Sequence, residues 1–235
     1  MNISQDKAEI NKYLTQYRWD KMFTQETADS IQLCRYEAGE YIFRGGERRK
    51  WFFLYVEGRS KVYRVMENGE IMLVRFYRPF QLLGDLELFL ESHNISSVKA
   101  ISKVCCLRLP VELVKEEMKH NIPLLNHLAR GLAEKLASFN TTAAVNQHYT
   151  MDIRLAAYLS MIYLEGDEYK ESREEMETEN LSEMADFLGC SYRHLTRTLE
   201  SFKKDGLIEK KGRKIRILDP AALKKRSRDI LLYED

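Results

Sequence analysis

Residues 180–217 read NLSEMADFLGCSYRHLTRTLESFKKDGLIEKKGRKIRI, and this stretch decides the organisation of the chain. Asn180 followed by Glu183 makes a capping-box pattern for a helix start. Met184, Phe187 and Leu188 recur at helical spacing, and Ala185 offers a small surface for a crossing helix. Gly189 permits a sharp turn, and Ser191 is a good cap for a second helix. On that helix Leu195 and Leu199 face inward, while Tyr192, Arg193, Thr196 and Arg197 lie on the other side. Thr198 stands where such motifs usually carry an aliphatic residue. After Asp205-Gly206 comes Leu207-Ile208, then Lys210, Lys211, Gly212, Arg213 and Lys214, with Ile215 and Ile217 alternating inward. The pattern predicts a helix-turn-helix with a basic hairpin wing, and hence double-stranded DNA as a partner. The exposed N-terminal residues of a second helix of this kind meet base edges in the major groove, where arginine pairs bidentately with guanine. Lys211 and Arg213 on the wing would rest on phosphates and fix register. A plain helical hairpin with a solvated face would need neither the serine cap nor the wing.

At 235 residues, one or two domains are expected, and an apolar fraction of 44% suits a full core. The net charge of +1 hides a strong asymmetry. Residues 193–228 hold thirteen Lys and Arg against four acids, whereas residues 165–180 hold eight acids against two bases. A basic C-terminal third is the electrostatic footprint of a polyanion partner. The N-terminus, MNISQDKAEINKY, carries no signal-peptide pattern. No apolar run approaches the roughly 20 residues of a membrane span. Cys34, Cys105, Cys106 and Cys190 show no paired spacing, so a reduced cytoplasm is the simplest setting.

Upstream, residues 1–31 read as a polar, mostly helical lead-in. Residues 33–109 alternate short β-type runs with turns: LCRY, YIFR, WFFLYV, RSKVYRVM, EIMLVRFY, VKAIS and VCCLRL. Asn68-Gly69 marks a hairpin, and the even strand spacing predicts a closed sandwich or roll with Trp51, Phe52 and Phe53 in its core. Cys105 and Cys106 should point to opposite faces, one in the core and one exposed. Pro110 opens a helix, and a longer one starts near Pro123. Its apolar residues Leu125, Ala129, Leu132, Leu136, Phe139 and Ala143 form a heptad seam, which predicts a parallel homodimer. Residues 150–164 are apolar enough for a buried helix, and the acidic stretch after it reads as a surface loop or hairpin. The expected fold class is α+β. The expected division is a roll at 1–121, a dimerisation helix at 122–148, a winged helix at 149–218 and a basic tail at 219–235. Asp219-Pro220 can start a short helix in that tail, which would touch flanking phosphate or pack on a partner subunit.

A β-roll, a long dimer helix and a winged helix in that order resemble the Crp/Fnr superfamily of bacterial transcription regulators. The resemblance covers nearly the whole chain. Gly39-Glu40-Tyr41-Ile42-Phe43 followed by Gly45-Gly46-Glu47 is similar to the family's G-E-x-I-F-x-x-G pattern. Leu54-x-Val56-x-x-Gly58 is similar to the next strand and turn, and Gly189-Cys190-Ser191 with Arg197 to the helix-turn-helix signature. EGDEY, SYRHL, WFFLYVEGR and LLGDLELF are most similar to the YeiL-like branch. The resemblance implies a roll of the cyclic-nucleotide-binding type, a double-stranded β-helix. It implies Tyr192, Arg193 and Arg197 as base readers, Asn180 and Ser182 as phosphate ligands, and RNA polymerase as a candidate partner. Arg193 stands where the family usually has glutamate, so a different operator is expected.

Cyclic-nucleotide binders of the family hold the phosphate with G-E-L-(G/A) and then R-(S/T)-A. Here the first segment is Gly84-Asp85-Leu86-Glu87, the arginine position falls at Asn94 or Ile95, and no arginine lies between Arg78 and Arg108. A carboxylate facing the phosphate with no arginine argues against cyclic AMP. The segment is either a structural turn only or part of a pocket for an unknown effector, with Gly84 to Glu87, Asn94, Phe139 and Asn140 around it. An iron–sulfur cluster is not expected, because Cys34 is the only cysteine before residue 100. No metal site or catalytic residue is expected, since the histidines show no ligand spacing. A cupin-like metal enzyme would need histidines in the strands, which have none. A ligand-gated module acting through protein partners would not need the arginine-rich helix.

Overall fold

Phe52 to Val56 are all buried, so the run WFFLYV belongs to a strand covered on both faces. The computed structural model describes residues 1–67, 69, 71–77, 79, 81–164, 176–177, 181–212 and 214–228. They fall into two units, Met1–Lys135 and Leu136–Asp235. In the first unit, β1 (Asn2–Ser4), α1 (Lys7–Gln16), α2 (Gln25–Asp29), β2 (Gln32–Tyr36), β3 (Tyr41–Phe43) and β4 (Trp51–Glu57) come in order. Then follow β5 (Ser60–Val65), β6 (Ile71–Tyr77), β7 (Leu82–Leu83), α3 (Asp85–Leu90), β8 (Ser97–Ala100), β9 (Val104–Pro110) and α4 (Val111–His120). The unit boundary falls inside α5 (Ile122–His148). The second unit continues with α6 (Met151–Leu164), β10 (Met176–Glu177), α7 (Leu181–Phe187), α8 (Tyr192–Lys204), β11 (Ile208–Lys211), β12 (Lys214–Ile217) and α9 (Pro220–Arg226).

Two antiparallel sheets build the roll, in the orders β1-β2-β9-β4-β7 and β3-β8-β5-β6. Between them lies a core that includes Tyr36, Ile42, Phe53, Tyr55, Val62, Tyr77, Leu83, Val98 and Cys106. The other face of the first sheet packs Leu33, Phe52, Leu54, Val56, Cys105 and Leu107 against Ile10, Tyr13 and Leu14 of α1, Val114 of α4 and Leu124 and Leu128 of α5. The period-two alternation along β4 and β9 is therefore real. It is invisible as a polarity pattern because both faces are dry. Both Cys105 and Cys106 are buried, so the expectation of one exposed thiol is wrong: helices cover the face on which Cys105 lies. Burial pushes the Cys105 thiol up to about 12 and raises that of Cys106 as well, so neither is a reactive thiolate. The polar lead-in also does more than precede the roll. Its residues Asn2–Ser4 pair with β2, and Asp6 caps α1 by accepting from the amides of Ala8 and Glu9. The β5–β6 pair forms a hairpin as expected, although Asn68 lies outside the described residues.

In the second unit, Leu155, Leu159, Phe187, Leu195, Leu199, Phe202, Ile208, Ile215 and Leu223 are buried. β10 adds to the wing through Met176↔Ile215. Most of the acidic stretch 165–180 lies outside the described residues. Asp219 caps α9 by accepting from the amide of Ala222, with Pro220 in the first turn. Leu223 is fully buried, and Arg226 pairs with Asp205 at 2.9 Å and with Asp152 at 3.5 Å. The start of the expected tail thus packs on its own unit.

Candidate nucleic-acid interface and effector cassette

The turn between α7 and α8 is a Schellman motif. The amide of Cys190 donates to the Ala185 carbonyl at 2.9 Å and that of Gly189 to Asp186 at 3.0 Å, with Gly189 at φ +59°. The Ser191 hydroxyl accepts from the His194 amide at 3.2 Å and caps α8. Its Leu195, Thr198, Leu199 and Phe202 are buried. Tyr192, Arg193 and Arg197 are exposed, and Thr196 is half-buried. Thr198, the misfit of the sequence pattern, hides its polarity by donating to the His194 carbonyl at 3.0 Å. Thr196 likewise donates to Tyr192, at 2.9 Å. Arg193, Arg197, Glu200, Ser201 and Lys204 follow one stripe of α8. Thr196 and the last four of these line an open depression of about 340 Å³.

The residue that sequence reasoning missed is Arg154 on α6. Nearly buried, it donates from Nη1 to the Leu188 carbonyl at 2.5 Å and to the Asn146 carbonyl at 3.0 Å. Asn146 Nδ2 in turn donates to the Phe187 carbonyl at 3.0 Å. These side chains satisfy carbonyls that the end of α7 leaves open. They hold the turn from which α8 starts. A signal existed: Arg154 is the only cation in the apolar run TMDIRLAAYLSMIYL.

On the wing, Ile215 is buried and Ile217 half-buried, and Gly212 at φ +59° lets the chain reverse. Lys211 is not wholly free to meet phosphate. Its Nζ lies 3.1 Å from Glu209, which also sits 3.9 Å from Arg216. Such exposed pairs contribute about 0–1 kcal/mol, so a phosphate can compete. Ser182 is exposed on the first turn of α7, while Asn180 and Arg213 lie outside the described residues.

In the first unit, Gly84 adopts φ +91° at the start of α3. A β-carbon there would fall 2.4 Å from Nη1 of Arg49, so any other residue would strain the left-handed backbone and push the guanidinium aside. Arg49 Nη2 lies 3.1 Å from Glu87, with both side chains buried. Its Nη1 donates to the Trp51 carbonyl at 3.2 Å, and its guanidinium covers the Phe43 ring at 4.2 Å. Burial lowers the Arg49 pKa, with Glu87 opposing that shift. Glu87 also accepts from the Ile95 amide at 3.1 Å. Asp85 is occupied too: Lys135 Nζ reaches its two oxygens at 2.6 and 2.7 Å and the Leu82 carbonyl at 2.7 Å. An arginine therefore does reach the segment, from a place the motif pattern does not cover, and Glu87 takes it.

Leu86 is 44% exposed. Asn94 donates to the Arg44 carbonyl at 2.9 Å and braces that loop. Phe139 and Asn140 belong to the second unit and are exposed. The roll interior holds aromatic stacks, Tyr55 on Tyr77 at 6.2 Å and Phe43 on Phe53 at 5.9 Å. A cavity of about 270 Å³ opens elsewhere, lined by Gly45, Gly46, Arg64, Val65, Ile95 and Ser97.

Known proteins match this arrangement along most of the chain. The profile of the cyclic nucleotide-binding domain matches residues 33–121, and that of the Crp-like helix-turn-helix domain matches residues 153–226. Regulatory protein YeiL of Escherichia coli O157:H7 is 31% identical over 195 residues, covering 82% of this chain and 84% of that one. This chain belongs to the Crp/Fnr family. The transcriptional activator protein Anr of Pseudomonas aeruginosa is similar at 24% identity, covering 79% of this chain and 76% of that one. A Crp/Fnr family regulator from Eubacterium rectale has the same fold, with a TM-score of 0.75, 20% identity and coverage of 91% of this chain and 99% of its own. The Crp/Fnr chain thus carries the helix-turn-helix DNA-binding domain of the family's transcription regulators, which bind DNA and act as dimers. The Crp-like profile runs through α9, consistent with Leu223 in the core of this unit.

Proposed function

We propose that the chain is a cytoplasmic, homodimeric regulator that reads an operator through α8 and carries a roll that does not take cyclic AMP. The carrying observation is α8 itself: capped, buried along one side, with Tyr192, Arg193 and Arg197 exposed on the other. Arg193 and Arg197 pair with guanine edges, each good bidentate contact giving about 1–3 kcal/mol of discrimination. Thr196 adds a contact beside them. Ser191, by capping α8, aims its first turn. Asn180, Ser182, Lys211 and Arg213 hold phosphates and fix register.

The homodimer reading is supported by α5. Leu124 and Leu128 face the core of the first unit, while Leu125, Ala129, Leu136, Phe139 and Ala143 are exposed and Leu132 is half-buried. Leu136 and Phe139 are each 61% exposed, which a helix serving only its own chain has no reason to maintain. Two copies joined there would present two recognition helices to successive major grooves. RNA polymerase is the partner through which such a regulator acts on transcription. In this reading residues 1–121 are the effector-type roll, 122–148 the dimer helix, and 149–218 the DNA-reading part, followed by the 219–235 segment. The chain has no enzymatic role in this account.

The cyclic AMP reading rests on Arg49, which is already matched by Glu87 and stacked on Phe43. Titration calorimetry with cyclic AMP at millimolar concentration should give no binding heat; saturable binding would overturn that part. Selection of DNA from a random pool by the full chain should yield a palindromic site. Arg197→Ala should bind that site about 5- to 150-fold more weakly, the equivalent of one lost bidentate contact. Equal retention of all sequences would contradict the function.

A further inference from the structure

The outer face of the β3-β8-β5-β6 sheet gathers cations and phenols around one tyrosine ring. Val62 and Val98 oppose each other in the core between the two sheets. The neighbouring rungs, Tyr63↔Ser97 and Lys61↔Lys99, therefore point the other way. Tyr41, opposite Lys99 and next to the core residue Ile42, joins them. The Arg44 guanidinium lies 3.6 Å from the centre of the Tyr41 ring, and Lys99 Nζ lies 5.8 Å from it. Tyr63 donates to the Tyr41 hydroxyl at 2.7 Å. Among the described residues no group accepts the proton of Tyr41 itself, and neither Arg44 nor Lys99 has a carboxylate partner. Glu47 turns its Oε2 to the backbone amide of Arg44 instead, at 3.2 Å. The hydrogen bond from Tyr63, and then the charges of Arg44 and Lys99, hold the Tyr41 pKa below its ordinary value against burial, so this spot favours negative charge.

The cavity of about 270 Å³ opens beside this cluster. The loop after β3 folds over the same face, with the Gly45 amide donating to Ser97 Oγ at 2.9 Å and the Gly46 amide to the Asn94 carbonyl at 2.8 Å. Ser97 joins the two features. It is buried, it lines the cavity together with Arg64, Val65 and Ile95, and its hydroxyl is hydrogen-bonded to Tyr63. Arg64 is exposed on the cavity wall and, among the described residues, also has no carboxylate partner. This place shares no residue with the Gly84–Glu87 segment and lies across the sheet from the packed interior of the roll.

A carboxylate would bring one negative charge to these cations. A phosphomonoester brings about −1.5 to −2 and three acceptor oxygens, enough for Arg44, Lys99 and the Tyr41 hydroxyl together. Sites for small molecules usually measure about 300–1,000 Å³, so the cavity suits a compact organic group and excludes a nucleic-acid duplex. We propose that the outer face of this sheet binds a small organic phosphate, with its phosphate held by Arg44, Lys99 and Tyr41 and its organic part in the cavity beside Arg64 and Ser97.

The test uses the full chain with isotopically labelled tyrosine rings, followed by nuclear magnetic resonance. The Tyr41 and Tyr63 signals are assigned with Tyr41→Phe and Tyr63→Phe. The probes are inorganic phosphate, glycerol phosphate and glycerol, with ionic strength held constant by chloride. Both phosphates should shift the Tyr41 signal saturably, and glycerol alone should not. Glycerol phosphate should bind at least about threefold more tightly than inorganic phosphate, the equivalent of one added hydrogen bond in the cavity. Arg44→Gln/Lys99→Gln should weaken both by about tenfold or more, and the other tyrosine signals report whether that variant keeps its fold. A Tyr41 signal that drifts with phosphate only as it does with chloride would overturn the proposal. Native affinity in the double variant would do the same. A non-operator duplex that moves the Tyr41 signal where glycerol phosphate does not would assign the site to nucleic-acid phosphate and overturn the small ligand.

Discussion

Gly189 and Gly84 hold the same kind of position and serve opposite ends. Each stands at a helix boundary in the left-handed region, at φ +59° and +91°, and each is approached by an arginine from far along the chain. Arg154 gives its hydrogen bonds to the Leu188 carbonyl just past the end of α7 and to the Asn146 carbonyl of α5. No carboxylate is needed, and Arg193 and Arg197 on the next helix stay exposed. Arg49 meets Glu87 instead, and both charges are matched inside the roll. One region is built to present positive charge, the other to absorb it. A glycine in a motif therefore says where a backbone turns, but the arginine beside it says what the turn is for.

The largest expected effect breaks the absorbing region. Glu87→Ala leaves the Arg49 guanidinium buried without its counter-charge, and removing one partner of a buried pair costs about 3–5 kcal/mol. Urea denaturation of the full chain should show the loss, and Arg49→Met/Glu87→Met together should recover most of it. If Glu87→Ala changes stability by less than about 1 kcal/mol, the two charges are not matched as described. Next comes Arg154→Met, which strands buried carbonyls and should cost about 2–4 kcal/mol in the second unit. It should also abolish operator binding, since α8 loses its footing; a stable variant that still binds DNA would remove Arg154 from the reading head.

A smaller effect concerns acid. Glu117 accepts from the amide and hydroxyl of Thr24 and the hydroxyl of Thr27, at 2.7 to 3.1 Å, and from Asn121 Nδ2 at 2.9 Å. Burial raises its pKa, but these hydrogen bonds win and hold it below the ordinary 4.5. A depressed folded-state value means the stabilisation is complete above the unfolded value and is lost as pH falls through the folded one. Glu117→Gln should therefore flatten the pH dependence of stability below about pH 4.5, and an unchanged acid profile would dismiss the assignment. The smallest effect sharpens the presenting region. Glu209→Gln removes the carboxylate beside Lys211, and should tighten DNA binding by no more than about 1 kcal/mol at low salt while steepening the salt dependence. Weaker binding would mean that Glu209 positions the wing rather than masking it.

These contrasts also mark what the residues alone could tell. The α7–α8 turn was legible because its determinants are local: Gly189, Ser191 and the inward Leu195 and Leu199 lie within eleven residues. The roll was legible from the spacing of its strands. The family was legible because several local patterns fell in one order. What stayed hidden were contacts between residues far apart in sequence. Arg49 meets Glu87 across 38 positions and Arg154 meets Leu188 across 34, and no periodicity connects either pair. The buried Cys105 was hidden for a related reason, since a strand dry on both faces shows no alternation from which to choose a side. The exposed apolar residues of α5 were visible as a heptad because a helix of 27 residues is long enough for a period to show.

The proposed base reading by α8 rests on its exposed arginines. It is tested most directly by measuring the affinity of the full chain, and of Arg193→Ala and Arg197→Ala, for its selected operator and for single-guanine substitutions of it. Each variant should lose about 1–3 kcal/mol on the intact site and become indifferent to one particular guanine. Variants that weaken binding equally on every sequence would make these arginines phosphate contacts and not base readers.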